Sequence, residues 1–131
     1  MSGSLSTAAL KPKVFAPGAN KLFGFDCTGM FPAGNLSSAT VTCISAVQSG
    51  ANGATGTVTT GDITIDAPVI NIAGLTGDDG QPIAIGFGVQ ARIHGSSVDG
   101  ANYELAVTPT DASGNTDTLF CLLQCRKTPP T

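Results

Sequence analysis

At 131 residues the chain has room for one domain. Only 11% of its residues are charged, under half the share of roughly 25% in an average soluble protein. The net charge is −3, and the six basic residues (Lys11, Lys13, Lys21, Arg92, Arg126 and Lys127) form no run. A nucleic-acid groove needs a basic stripe to displace phosphate counterions, so no DNA or RNA partner is expected. No stretch approaches the ~20 apolar residues of a membrane-crossing helix, and no membrane partner is expected. The opening MSGSLSTAALKPKVF lacks a basic start followed by an apolar run. A secretory signal is therefore not expected, and synthesis in a reducing cytoplasm is.

Residues 1–20 read as an extended N-terminal arm. They are rich in Ser, Ala and Lys, contain Pro12 and Pro17, and show no sustained period. The apolar pair Val14-Phe15 gives such an arm something to dock with. A first strand is expected over residues 21–28, with Phe23, Phe25 and Cys27 on one face. Gly29, Pro32 and Gly34 then mark a loop around Met30 and Phe31. A second strand over residues 37–47 places Ala39, Val41 and Cys43 together, and the glycine-rich SGANGATG follows as a loop. Short strands are expected over 57–60, 62–65 and 68–72. Pro68 must start a strand or lie on an edge, because it has no N–H to donate. Gly77-Asp78-Asp79-Gly80 is a turn signal.

The last third is the most regular. A strand over 83–93 puts Ile85, Phe87, Val89, Ala91 and Ile93 toward a core. Gly86 and Gly88 on its other face leave room for a close neighbour. Tyr103 to Thr108 alternates, with Tyr103, Leu105 and Val107 on one side and Glu104, Ala106 and Thr108 on the other. After the turn DASGN, a strand over 118–127 is apolar on both faces, with Phe120 and Leu122 opposing Leu119, Cys121 and Leu123. Such a strand is either central or covered by a partner. About seven short strands and no helix of normal length predict an all-β chain. The expected fold is an immunoglobulin-like antiparallel β-sandwich over 21–127, with the arm before it and a short tail, 128–131, after it.

Chemistry is sparse. The lone histidine, His94, reads as an exposed turn residue, and the acidic residues are scattered. Asp78-Asp79 lacks the alternating oxygen ligands of a calcium loop. Gly86-Phe87-Gly88 lies inside a strand pattern, not at the strand-to-helix turn of a phosphate loop. Cys121 and Cys125 sit ~13 Å apart on one strand, too far for a disulfide or a shared zinc. Cys27 and Cys43 could meet each other or that pair, but four thiols packed as small core residues is the simpler expectation. No catalytic residues, metal or cofactor are expected, and the chain does not read as an enzyme.

KLFGFDCTGMFPAGNLSSATVTC, residues 21–43, resembles the opening of small tailed-phage proteins of the fibre–tail adaptor family. Phe25-Asp26-Cys27 stands where the family usually has Asp-Trp, and Phe31 where it often has Trp. Leu36-Ser37-Ser38-Ala39-Thr40-Val41 is similar to the strand that follows. The end is similar too: Tyr103, Leu105, Val107, Ser113-Gly114 and Cys125-Arg126 match a Tyr-x-Val-x-Val strand, a Ser-x-Gly turn and a closing Val-Arg. The tryptophans are missing, and residues 45–82 depart from the pattern.

The resemblance implies a virion structural protein assembled in the host bacterial cytoplasm. It would act as an adaptor at the tail, neck or fibre attachment through multivalent protein–protein interfaces. Its partners would be other virion proteins (tail, portal or neck, fibre, or major capsid protein) and further copies of itself. Capsid decoration is the alternative virion role; a non-viral carbohydrate-binding or adhesion sandwich is an alternative of another class. Interface candidates are Leu10, Val14 and Phe15 in the arm, Met30 and Phe31 in the loop, and Phe120 and Leu122 on the last strand.

Overall fold

Alternation in the sequence becomes two facing sheets in the computed structural model, which describes residues 10–31, 35–48, 58–76, 82–95 and 100–126. The strands are β1 (Leu10–Phe15), β2 (Asn20–Asp26), β3 (Leu36–Gln48), β4 (Thr64–Ile65), β5 (Val69–Ile70), β6 (Leu75–Thr76), β7 (Pro82–Ile83), β8 (Gly88–His94), β9 (Ala101–Asp111) and β10 (Leu119–Cys125). The first sheet has the order β1-β10-β9-β3. The second has the order β2-β8-β4, with β5 also on β8, and β6 pairs with β7 in a small separate ribbon. The pairings are antiparallel except β1 with β10. The chain is thus a nearly all-β, sandwich-like protein.

Each central strand contributes every second side chain to the core. Phe23 and Phe25 come from β2, and Cys27 follows just beyond it. Val89, Ala91 and Ile93 come from β8, Tyr103, Leu105 and Val107 from β9, and Leu119, Cys121, Leu123 and Cys125 from β10. A fully buried Phe, Leu or Val contributes about 1.5–3 kcal/mol, so these rows supply the main drive for the two sheets to close.

The start of the domain differs from the expected arm. Residues 10–15 form a strand on the free edge of β10. The side chain of Phe15 is buried and meets Phe23 edge-to-face at 6.2 Å, joining the two sheets. Lys13 and Lys21 reach over the Phe25 and Phe23 rings at 5.3 and 5.4 Å, laying their stems along the open flank beside β1 and β2.

The middle of the chain also differs. Residues 60–62 form a 3-10 turn rather than the end of a strand. The strand expected over 83–93 is broken: after β7 the chain turns at 84–87, and Ile85 is exposed instead of facing the core. The cause is Gly86. Its φ is +88°, it lies against the Asn35 side chain, and a Cβ there would come within 2.6 Å of Asn35 Nδ2. Gly88 does provide the expected close approach, for the side chains of Ile83, Leu75 and Asn71. Pro68 lies between β4 and β5, where it interrupts what would otherwise be one strand along β8. The SGANGATG loop, the Gly77–Gly80 turn and the 128–131 tail lie outside the described residues.

Candidate protein-interaction surfaces

Two buried polar side chains, Asn71 and Asp111, pin turns of the frame. Asn71 is 2% exposed. Its Oδ1 accepts from the Gly86 and Gly88 amides at 3.0 and 2.9 Å, and its Nδ2 donates to the Ala73 and Ala84 carbonyls at 2.8 and 3.1 Å. One side chain thereby fixes the 84–88 turn, with its donors and acceptors all used.

Asp111 plays the same part in the DASGN turn. It is buried, and its carboxylate accepts from the Ser113 and Asn115 amides and from Asn115 Nδ2 at 2.8–3.0 Å. The Asn115 side chain foremost, together with the turn amides, holds its pKa below the usual carboxylate value. Asp62 accepts from the Tyr103 hydroxyl at 3.1 Å and from the Thr59 amide at 3.1 Å, which ties the 3-10 turn to β9.

His94, expected as an exposed turn residue, is the half-buried last residue of β8 and lies 3.1 Å from Asp66. None of the four cysteines is in a disulfide. Burial, aided by nearby Asp26, pushes the Cys27 thiol up to about 12. Burial also raises Cys43. A thiol held protonated in this way is a packing group rather than a nucleophile. Among the described residues no group of three His, Cys, Asp or Glu could hold a metal ion.

What distinguishes the surface is the outer face of the first sheet. Side chains that point away from the core on β10 and β9 alternate with the buried rows, so Phe120 and Leu122 stand beside Ala106 and Glu104 in register. Phe120 is 37% exposed, Val14 41% and Val47 60%. Pro12, Ser45, Val47, Asn102, Glu104, Phe120 and Leu122 line a shallow hollow of about 530 Å³ here. Glu104 is the one charged side chain in it. A bulge between Cys43 and Ser45 bends β3 at the rim and leaves Ile44 exposed.

The interface residues expected from sequence thus separate. Val14, Phe120 and Leu122 are gathered on or beside one face. Phe15 is a core residue. Met30 and Phe31 are partly buried and pack against the core, closing their own end of the sandwich. Leu10 pairs with Cys121 at the start of β1. Val47 is a contributor that sequence reasoning missed, and its alternation with Val41 across the bulge hid its side. The position of β10 between β1 and β9 accounts for its inner row; in its outer row Phe120 is exposed, Leu122 is half-buried, and Arg126 Nη2 donates to Gln124 Oε1 at 2.6 Å.

No protein family matches this chain, and neither the curated proteins nor the solved structures include a match to it.

Proposed function

We propose that the chain is a virion structural protein of a tailed bacteriophage: a non-catalytic, immunoglobulin-like adaptor at the tail, neck or fibre attachment. The observation that carries the reading is the outer face of the first sheet. Phe120 and Val47 are exposed and Leu122 half-buried around a hollow of about 530 Å³ on a hydrogen-bonded sheet, with exposed Val14 on the neighbouring β1. Grouped apolar side chains of this kind mark protein interfaces. The resemblance of residues 21–43 and 103–126 to phage adaptors supplies the setting. Thiols buried without disulfides agree with assembly in a bacterial cytoplasm.

Strand order supports the immunoglobulin-like part of the reading. In chain order β3, β9 and β10 take the places of strands C, F and G, and β2, β8 and β4 those of B, E and D, the two sheets of that fold. Tyr103 is buried near the start of β9, as a strand-F tyrosine is in such sandwiches, but its hydroxyl donates to the Asp62 carboxylate of the 3-10 turn.

The test is protein identification and copy number in particles purified from cells that make the chain together with its neighbouring genes. An adaptor is expected in the particle at tens of copies or fewer. Hundreds of copies would move it to the capsid surface as a decoration protein. A chain absent from particles, or one that binds glycans as a monomer, would overturn the virion reading.

A further inference from the structure

The outer strands of the two sheets are not protected alike. Among the described residues the first sheet ends on β1 and β3, and the second on β2 and on the β4–β5 line. An open edge exposes unpaired N–H and C=O groups and invites another strand, so edges are commonly blunted by charge, proline, bulges or shortness. β1 carries Lys11, Pro12 and Lys13, and a register break between Leu10 and Lys13. β2 carries Lys21 and Asp26. β4 and β5 are two residues each, with Pro68 between them. β3 is 13 residues long, LSSATVTCISAVQ, with no charge, no proline and no glycine. Its amino end is occupied, because the Leu36 amide donates to the Gly86 carbonyl at 2.9 Å. Its bulge lies late, between Cys43 and Ser45, and over residues 38–43 the register with β9 is unbroken. Among the described residues no backbone hydrogen bond leaves this run on the side away from β9. β5 packs beside β3 but pairs with β8.

We infer that this run is a contact between two copies of the chain: residues 38–43 of one copy pair antiparallel with residues 38–43 of the other, about a two-fold axis near Thr40 and Val41. Three features select a second copy as the occupant. The run is its own complement. It has no charge to oppose to itself, and its exposed Ser38, Thr40 and Thr42 would meet hydroxyl to hydroxyl, a favourable cross-strand pairing. Glu104 on β9 lies beyond the bulge, beside Ser45. It would stand at least three strand spacings, ~14 Å, from its equivalent, past the screening length of ~8 Å at physiological salt. The bulges of both copies fall outside the paired run, so neither interrupts it. Finally, a two-fold contact closes. It uses up both β3 edges and gives a sheet of order β1-β10-β9-β3-β3-β9-β10-β1, which ends on the guarded β1 of each copy. Head-to-tail pairing of β3 with β1 would instead put Pro12 and two lysines into the ladder. The dimer does not rest on the virion reading. Because its test uses the purified chain alone, its failure would leave incorporation into particles untouched.

The test is sedimentation velocity of the full chain over a concentration series, with wild type, T40K/T42K, T40E/T42E, an equimolar mixture of those two variants, and F120D/L122D. Thr40 and Thr42 are exposed, and across the axis they would neighbour the same residues of the other copy. Wild type is expected to pass from monomer to dimer with no larger species. Each charged variant is expected to dimerise ~10-fold more weakly or worse, because like charges then meet directly across the new strand pair. The mixture is expected to recover dimers, now of one chain of each kind, which also shows that neither variant is unfolded. F120D/L122D is expected to dimerise as wild type does. A wild type that stays monomeric throughout would overturn the proposal, as would charged variants that the mixture does not rescue. So would association that survives T40K/T42K or is abolished by F120D/L122D, either of which would move the contact away from the β3 edge.

Discussion

The two outer faces of this sandwich are finished differently. On the second sheet the β6–β7 ribbon lies over the Gly24–Gly88 end of β2 and β8, with Leu22 and Val69 exposed beyond it. Leu75 comes within 3.6 Å of where a Cβ on Gly24 would be, and Ile83 and Leu75 within 3.1 and 3.2 Å of where one on Gly88 would be. The glycines let the ribbon close down, and Ile83 is buried as a result. On the first sheet no described segment does the equivalent, and Phe120 and Val47 remain in the open. The difference separates two uses of an apolar side chain. Ile83 stabilises this domain, whereas Phe120 has little to give the isolated domain and more to give a partner.

The comparison can be broken by mutation, and the largest effects belong to the self-covered face. Removing the Asn71 side chain with N71A leaves the buried Gly88 amide without its acceptor, at about 1–3 kcal/mol, and leaves the Gly86 amide with only the Asn71 backbone carbonyl. Denaturant unfolding should show the sum as a lowered midpoint. I83A removes the buried group under the ribbon and should cost about 2–5 kcal/mol by the same measurement. On the bare face, F120D should change stability by about 1 kcal/mol or less. If F120D destabilised the chain as much as I83A, the two faces would not differ as described.

Two titrations act through pH. The Asp111 pKa is lowered by folding, so its contribution is present above the unfolded value of 3.8 and is lost as pH falls below it. D111N should remove the part of the acid destabilisation that this carboxylate contributes, visible in the unfolding midpoint between neutral pH and pH ~3. Cys27 has the opposite sign. Its pKa rises from 9.0 to about 12, so the unfolded chain gives up that proton first, and stability declines as pH rises past 9. C27A should flatten that alkaline decline while lowering stability at neutral pH, because it empties a packed site.

Much of the frame was legible in the residues. The alternation of Tyr103, Leu105 and Val107, and of Phe23, Phe25 and Cys27, survives as buried rows, because period-two patterning is a local record of one-sided burial. β1 was not legible. LKPKVF carries Lys and Pro where a strand would show alternation, and its place is set by a parallel partner over a hundred residues away. Ile85 misled for a related reason: its apolar pattern continues that of Val89 and Ile93, but the positive φ at Gly86 turns the chain between them. The hubs at Asn71 and Asp62 look like ordinary turn residues until long-range partners arrive, whereas Asp111 is satisfied within its own turn. At the surface, Phe120 and Leu122 were readable as a second apolar row on β10. Val47 and Leu22 were not, since only strand pairing shows which side chains share a face.

The account's central claim is that the outer face of the first sheet serves a neighbour rather than the domain itself. Its most direct test is particle incorporation of F120D/L122D, produced in competition with wild type and quantified by mass spectrometry of purified particles. The account predicts a folded, soluble variant that is left out of the particle while wild type is taken in. Equal incorporation of the two would contradict it.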